Sequence, residues 1–273
     1  TAGTLTLGHR AMKDVNPGTS NGNPIPIAAV GDTLYFRADH PNGRELWKTD
    51  GSTAGTVMLK DINPGTASSN PLPQYATVVG STLYFRADNG ANGQELWKTD
   101  GSTAGTVMVK DIWADGNSSS PTNLTVLGST LYFRANDGTH GTELWKMDGT
   151  SAGTVMVKDI WTDGNSSIPN DFTVVGSTLY FSANNGANGQ ELWKTDGSTA
   201  STVMVKDIWA DGNSSSPADF TVVGSTLYFK ATDQNGTELW KSDGTTGGTV
   251  MVKDIWADGN SSNPTDFTVA GST

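Results

Sequence analysis

Aromatic and acidic side chains recur at fixed spacing in one kind of segment, which we call the link. It reads Lys-Asp-Ile-Trp-x-Asp-Gly-Asn-Ser-Ser and spans residues 110–119, 158–167, 206–215 and 253–262. A tryptophan ring can stack on the apolar face of a sugar while neighbouring amides and carboxylates bond its hydroxyls. The alternative is that these rings are buried between structural units, as large aromatic side chains usually are. The candidate ligand-binding residues are Trp113, Trp161, Trp209 and Trp256.

The links also carry oxygen atoms that suit a hard cation. In the first link, Asp111, Asp115 and Asn117 place three such side chains within seven residues, and Ca²⁺ prefers oxygen ligands. The spacing lacks the alternating ligands and the final glutamate of an EF-hand loop. A turn held by Asx hydrogen bonds is therefore the alternative. The candidate calcium ligands are Asp111, Asp115, Asn117, Asp159, Asp163, Asn165, Asp207, Asp211, Asn213, Asp254, Asp258 and Asn260.

Each link contains an Asn-Ser-Ser sequence. In a eukaryotic secretory protein these asparagines would be glycosylation acceptors, whereas in a bacterial protein they would form turns. The acceptors in the first case are Asn117, Asn165, Asn213 and Asn260.

Nothing in the sequence indicates a catalytic centre. Catalysis needs one asymmetric group of side chains, but nearly every polar residue here recurs in register. The histidines, His9, His40 and His140, do not repeat and are scattered along the chain. We therefore expect no catalytic residue and no enzyme, with a glycosidase or sialidase-like activity as a remote alternative.

The links belong to a longer repeat marked by the motif Glu-Leu-Trp. Within each repeat, four segments rich in β-branched and aromatic residues are separated by Gly, Asn, Asp and Ser, a pattern typical of strands and turns. In the third repeat we expect strands over residues 124–127, 130–136, 143–146 and 154–160, forming an antiparallel meander. The motif begins at Glu45, Glu95, Glu143, Glu191 and Glu238, at spacings of 50, 48, 48 and 47 residues.

These strands carry apolar side chains on both faces of the sheet, so each sheet needs a neighbour on either side. Repeated stacking of four-stranded antiparallel blades in a β-propeller satisfies that need. We expect one all-β domain over residues 1–273, with five complete repeats of about 47–50 residues and a split sixth blade formed by residues 1–15 and 267–273. Six blade positions are favoured over five. The repeated glutamates, and the lysines that follow, are expected to be cross-strand or cross-blade partners, and the Asp of each Asp-Gly turn to be a turn former.

Composition excludes some classes of partner. The chain has 28 acidic and 17 basic side chains, a formal charge of −11, and binding to nucleic acid depends largely on Lys and Arg. No apolar run approaches the roughly 20 residues of a membrane helix. Without cysteine, neither disulfides nor thiolate metal sites are available. We expect neither nucleic acid binding nor membrane insertion.

The sequence Glu-Leu-Trp-Lys-Thr-Asp-Gly-Ser-Thr-Ala-Gly-Thr, at residues 45–56 and 95–106, resembles the ELW-x-x-DGT-x-x-GT repeat of large bacterial extracellular proteins, often described as hyalin-like. The resemblance covers nearly the whole chain and implies a secreted or cell-surface β-propeller. The Asp-Gly turn is also similar to the sialidase Asp-box, but Lys48 stands where that motif has serine.

Together these features predict a non-enzymatic extracellular protein with an adhesive, structural or carbohydrate-binding role. The alternative is a self-assembling surface or filament subunit whose incomplete blade is completed by a neighbouring chain. The expected partners are a glycan or cell-surface polymer, or another copy through open blade edges. No cofactor other than Ca²⁺ is indicated.

Overall fold

The structure, a computed structural model, describes residues 13–18, 20–257 and 259–271. These residues form twenty strands and one short 3₁₀ helix, Pro73–Tyr75. The strands are arranged in five antiparallel sheets of four strands, each built as a propeller-like blade. The predicted all-β fold and four-stranded unit are confirmed, whereas the number of blade positions stays a prediction.

Each sheet contains four consecutive strands in simple meander order. The first sheet contains β1 (Ile25–Val30), β2 (Thr33–His40), β3 (Gly43–Thr49) and β4 (Val57–Lys60), and the second β5 (Ala76–Val79), β6 (Thr82–Asp88), β7 (Gln94–Thr99) and β8 (Val107–Lys110). The third contains β9 (Thr122–Leu127), β10 (Thr130–Asn136), β11 (Thr142–Met147) and β12 (Val155–Lys158). The fourth contains β13 (Asn170–Val175), β14 (Thr178–Asn184), β15 (Gln190–Thr195) and β16 (Val203–Lys206). The fifth contains β17 (Ala218–Val223), β18 (Thr226–Asp233), β19 (Gly236–Ser242) and β20 (Val250–Lys253).

The third sheet shows how closely the strand pattern predicted the structure. Strand β10 has the predicted bounds, and β9 and β11 extend slightly beyond theirs. Strand β12 ends at Lys158 instead of residue 160. It stops early because the Ile160 N–H donates to the Glu143 carboxylate (3.0 Å).

Three pairs of consecutive sheets each share a core built from the same kinds of apolar residue. In one core, Tyr132, Leu144 and Val157 of the third sheet pack with apolar residues of the fourth sheet, among them Phe181 and Trp193. The fourth and fifth sheets repeat this arrangement, as do the first and second. The fourth sheet, which packs against the third on one face and the fifth on the other, thus has the two-sided cover that its alternating apolar residues predicted.

Contacts divide the chain into two compact units, and the boundary falls between Met108 and Val109, within β8. The expectation of one domain stays a prediction. In the first unit, Lys13 Nζ donates to the Thr56 carbonyl (2.8 Å), as Lys60 Nζ does to the Thr106 carbonyl (2.7 Å). Lys13 thus makes the same kind of bond as Lys60 of β4, and the split blade stays a prediction. Most of the predicted split blade, residues 1–12 and 272–273, lies outside the described residues.

Meander topology gives each sheet two distinct ends, at which different loops leave the strands. The links follow the fourth strands, and the loops between second and third strands lie at the same end, because successive strands run in opposite directions. We call this end the link edge. Among the described residues, no helix is long and apolar enough to cross a membrane.

Candidate functional site

A buried glutamate near the start of the third strand binds both ends of the link that follows in its own repeat. Glu191 Oε2 accepts hydrogen bonds from the Ile208 N–H (2.9 Å) and the Ser215 hydroxyl (2.7 Å). Its Oε1 accepts the Ser215 N–H (2.9 Å). Equivalent donors bind Glu143 and Glu238 in the third and fifth repeats, and Ile62 and Ser69, in the segment 60–69 that takes the place of a link in the first repeat, bind Glu45 in the same way. The glutamates expected to be cross-strand or cross-blade partners therefore fix both ends of the link in their own repeat.

These carboxylates are buried without a basic side chain among those donors. Desolvation raises the pKa of Glu143 to about 7 and that of Glu45 to about 6, against the opposing effect of the serine and backbone hydrogen bonds. Desolvation also raises the pKa of Glu191. Their role is to order the links, since the side chains are inaccessible to solvent.

The middle of each link is a tight turn closed by an asparagine. In the third link, Asp211 and Gly212 have positive φ angles of 65° and 77°, and Asn213 Nδ2 donates to the Ala210 carbonyl (2.8 Å). The other link asparagines make the same bond to the residue three positions earlier. Asx hydrogen bonding therefore accounts for the turn residues. The sequon asparagines Asn117, Asn165, Asn213 and Asn260 are all exposed.

The candidate calcium ligands lie in two different environments. The aspartates at the ends of fourth strands, Asp111, Asp159, Asp207 and Asp254, are half-buried. The turn aspartates Asp115, Asp163 and Asp211 are exposed, and Asp258 lies outside the described residues. Asp207 Oδ2 accepts a bond from Asn188 Nδ2 (2.7 Å). Within the described ranges, no group of three His, Cys, Asp or Glu side chains could hold a metal ion, and Ca²⁺ stays a prediction.

Two of the link tryptophans rest on glycines of the next repeat. A Cβ atom added to Gly138 would lie 2.3 Å from Trp113 Nε1, and one added to Gly186 would lie 2.3 Å from Trp161 Nε1. Only glycine permits so close an approach, since real Cβ contacts of that length do not occur. Trp113 and Trp161 are thus half-buried at the link edge by the loop between second and third strands.

The third link tryptophan has different surroundings. Trp209 is half-buried, but the next hairpin turns directly through Gln234 and Asn235 and has no glycine matching Gly186. A cavity of ≈ 270 Å³ lies there, lined by Trp209 and by residues of both segments. The fourth tryptophan, Trp256, is 61% exposed. The repeats therefore do not give four equivalent sites.

The remaining repeated polar groups connect adjacent sheets or close turns. Lys158 Nζ donates to the Thr202 carbonyl (2.8 Å) and lies 5.9 Å from the ring centroid of Trp193. Lys194, which follows a Glu-Leu-Trp motif, donates to the Gly244 carbonyl (2.8 Å). These bonds confirm the lysines as cross-blade partners.

The Asp-Gly turns are held by their own side chains. Asp50 Oδ1 accepts the Ser52 N–H (2.9 Å) and hydroxyl (2.7 Å), and the Ser52 hydroxyl bond is the main cause of the lowered pKa of Asp50. The structural interpretation of these aspartates as turn formers is confirmed.

The histidines have local partners. His40 Nδ1 accepts the Asn42 N–H (3.1 Å) and its ring lies 5.6 Å from that of Trp47. His140 Nδ1 lies 2.7 Å from Asp137 Oδ2, a contact that raises the pKa of His140. His9 lies outside the described residues. The two described histidines thus have partners within their own loops.

Sequence reasoning missed Asp233 and Gln234, which line the cavity beside Trp209. A signal was available, because the spacing from Glu191 to Glu238 is 47 residues instead of 48. The shorter spacing reflects the shorter hairpin loop, and its effect on Trp209 depends on a contact between repeats that spacing does not reveal.

Comparison with solved structures supports the fold. The chain is similar to a puromycin hydrolase, with a TM-score of 0.50 and 15% identity over 84% of this chain and 39% of that one. It is similar to a chain from a study of two prolyl endopeptidases, with a TM-score of 0.51 and 11% identity over 84% of this chain and 34% of that one. A puromycin-hydrolyzing peptidase of Mycobacterium tuberculosis matches with a TM-score of 0.47 and 13% identity, over 85% of this chain and 37% of that one. No protein-family model and no curated protein matches the chain.

These matches correct the functional expectation. The prediction of a non-enzymatic adhesive, structural or carbohydrate-binding protein is wrong, because the solved chains of similar fold include a puromycin hydrolase and a chain from the study of two prolyl endopeptidases. The chain spans little more than a third of the length of each of these proteins.

Proposed function

We propose that this chain is a propeller domain of a larger hydrolase of the peptidase type. The observation that carries the proposal is the shared fold, which extends over 84% of this chain and only 39% and 34% of the two similar chains. In such a protein the remaining length would contain the catalytic domain. The study of the prolyl endopeptidases concerns the role of inter-domain dynamics in catalysis and specificity, and we assign this chain a corresponding role in substrate selection.

Within that proposal, the described part of the chain supplies no catalytic residue. Its repeated carboxylates are engaged structurally, since Glu191 holds a link through three donors and Asp50 closes a turn. The described histidines have partners in their own loops. A general base needs a nucleophile or substrate within hydrogen-bond reach, and these partners are a backbone N–H and a carboxylate.

The geometry suits a domain that holds loops rigidly in place for substrate selection. Buried glutamates order the links, and the loops between second and third strands lie at the same edge, so a rigid sheet presents variable loops. We place substrate selection at this link edge. The resemblance of the repeat to those of bacterial extracellular proteins leads us to include secretion or a cell-surface location in the proposal.

The test compares the isolated chain with the complete product of its gene. We expect a fluorophosphonate probe for serine hydrolases to label the complete protein outside residues 1–273 and to leave the isolated chain unlabelled. Puromycin and short proline-containing peptides serve as substrates. Deleting residues 1–273 from the complete protein should change the kcat/KM ratio between long and short peptides about tenfold or more, since domain closure contributes to specificity.

Two results would overturn the proposal. A complete gene product without hydrolase activity would remove the proposed catalytic partner. Probe labelling or peptide hydrolysis by the isolated chain would contradict the assignment of a non-catalytic role to this domain.

A further inference from the structure

The hairpin beside Trp209 differs from the hairpins beside the other half-buried link tryptophans. Strands β18 and β19 are joined by Gln234 and Asn235 alone, whereas β14 and β15 are separated by residues 185–189. The longer loop brings Gly186 against Trp161. The shorter hairpin has no such glycine, so the repeat is interrupted at this one link tryptophan among the described repeats.

The interruption leaves a cavity with a definite chemical character. Its volume is ≈ 270 Å³, and the residues that line it are Ile208, Trp209, Ala210, Asp211, Asn213, Asp233 and Gln234, which include one indole, two carboxylates and two amides. No basic side chain is among the described residues that line it. Asp233 accepts two bonds from Asn235, at 2.8 and 3.1 Å, which fix its carboxylate and leave lone pairs on both oxygens.

The corresponding loops elsewhere do not offer this combination. Beside Trp161, the loop sequence Asn-Asn-Gly-Ala-Asn-Gly at residues 184–189 has no carboxylate. Beside Trp113, the loop carboxylate Asp137 pairs with His140 at 2.7 Å. Two carboxylates with no lining cation, next to an open indole, therefore occur together only at Trp209 among the described links.

We propose that this cavity binds an organic cation, an alkylammonium or guanidinium group. An aromatic ring attracts such a cation through its quadrupole, and a guanidinium can pair with carboxylates through directional hydrogen bonds. The amides of Asn213 and Gln234 offer further acceptors. The assignment is independent of the proposed hydrolase role, because it depends on the cavity alone.

A hard metal ion fits the cavity less well than an organic cation. Ca²⁺ takes six to eight oxygen ligands, whereas two carboxylates and two amides provide six at most, and an indole provides none. A neutral sugar could bond the indole, the amides and both carboxylates, but it would leave the two negative charges without a positive partner. The two acidic groups thus distinguish a cationic ligand from the carbohydrate first suggested by the link tryptophans.

The test uses the whole chain and N-acetyl-arginine methylamide as the probe, with N-acetyl-citrulline methylamide as its neutral isostere. Calorimetry measures affinity, and the indole N–H signal of Trp209 in a ¹⁵N spectrum, assigned with Trp209→Leu, locates the site. In a second arm, tetramethylammonium replaces the arginine probe and shows whether the site binds a quaternary ammonium ion or needs a basic side chain. Glucose forms a third.

Three variants make the result specific to this cavity. Trp209→Leu removes the ring, and Trp161→Leu is the matched control at a closed position. Asp211→Asn removes a charge while keeping a residue that tolerates a positive φ. Grafting residues 184–189 in place of residues 232–236 restores the longer loop and should close the cavity without altering the core. Thermal unfolding shows whether each variant is folded.

We expect one binding site, and about tenfold weaker binding of the citrulline isostere, a difference that corresponds to loss of a charged contact. Trp209→Leu, Asp211→Asn and the loop graft should each weaken binding, and Trp161→Leu should not. Equal affinity for arginine and citrulline probes, tighter binding of glucose, or full binding by the folded graft would overturn the proposal.

Discussion

The fourth and fifth sheets have nearly the same sequence but differ in how completely they are covered. Leu192 of the fourth sheet is fully buried, whereas Leu239 at the same position of the fifth is half-buried. The exposed fraction rises from 4% at Val205 to 45% at Val252, and from 9% at Ile208 to 58% at Ile255. The sequence of a repeat therefore sets its strands, while a neighbouring repeat completes its core.

The difference extends to the buried glutamates. Glu191 and Glu238 accept the same three kinds of hydrogen bond. Desolvation raises the pKa of Glu191. For Glu238, desolvation is outweighed by the bonds from Ser262 and Ile255, and its pKa is lowered. Equivalent hydrogen bonds therefore accompany a raised pKa at Glu191, in the more completely covered sheet, and a lowered pKa at Glu238.

The largest expected effect is a loss of core packing. Leu192→Ala should reduce the free energy of unfolding by about 3 kcal/mol, and Leu239→Ala by about 1 kcal/mol, because the penalty grows with the buried volume removed. Urea unfolding followed by circular dichroism measures both. Equal losses would show that the fifth sheet is as completely covered as the fourth.

Removing the negative charge of the link anchor should have the next largest effect. In Glu191→Gln the side chain keeps its size, but its NH₂ group replaces one acceptor and faces donors. We expect the free energy of unfolding to fall by about 2 kcal/mol, since unsatisfied buried groups are costly. Glu238→Gln should lower it by less.

Hydrogen exchange locates this effect. The amides of Ile208 and Ser215 should exchange faster in Glu191→Gln than in the unaltered chain, while those of Ile255 and Ser262 keep their rates. Unchanged protection at Ile208 and Ser215 would contradict the role of Glu191 as the anchor of the link.

Stability should also depend on pH through these glutamates. The folded chain favours protonation of Glu45 and Glu143, whose pKa values are raised to about 6 and about 7, so stability falls as pH rises through that range. The turn aspartates, with lowered pKa values, lose their contribution as pH falls through the acidic range. We therefore expect a higher Tm at pH 5 than at pH 7.5.

The two glutamine variants test the source of that dependence. Glu191→Gln should reduce the difference in Tm between pH 5 and pH 7.5, because it removes one group with a raised pKa. Glu238→Gln should not reduce it. A Tm that increases from pH 5 to pH 7.5 in the unaltered chain would contradict the assigned direction.

Much of the fold could be predicted because the signals were local and repeated. Alternation along β10 placed Leu131 and Phe133 on one face and Tyr132 on the other, and all three are buried. Strand β12 was predicted to end two residues too late because the competing partner of the Ile160 N–H, Glu143, lies 17 residues away. Long-range hydrogen bonds of this kind leave no local trace in the sequence.

The candidate site was less predictable than the fold. The repeats suggested four equivalent tryptophans, but their surroundings depend on loops of the next repeat, and among the described links only Trp209 lies beside a shortened hairpin. The function was predicted wrongly because adhesive and carbohydrate-binding roles were inferred from residue types that here order links and turns.

The smallest expected effect comes from the lysines that join adjacent sheets. Lys206 Nζ donates to the Thr249 carbonyl (2.8 Å) and lies 5.8 Å from the ring centroid of Trp240. Its equivalent, Lys253, is exposed on the fifth sheet. Lys206→Met should lower the free energy of unfolding by about 0.5–1 kcal/mol, as expected for one hydrogen bond and a partly exposed cation–π contact. Lys253→Met should cost nothing measurable in the same urea titration, and equal losses for the two variants would mean that the lysines stabilise their own sheets instead of the contact between them.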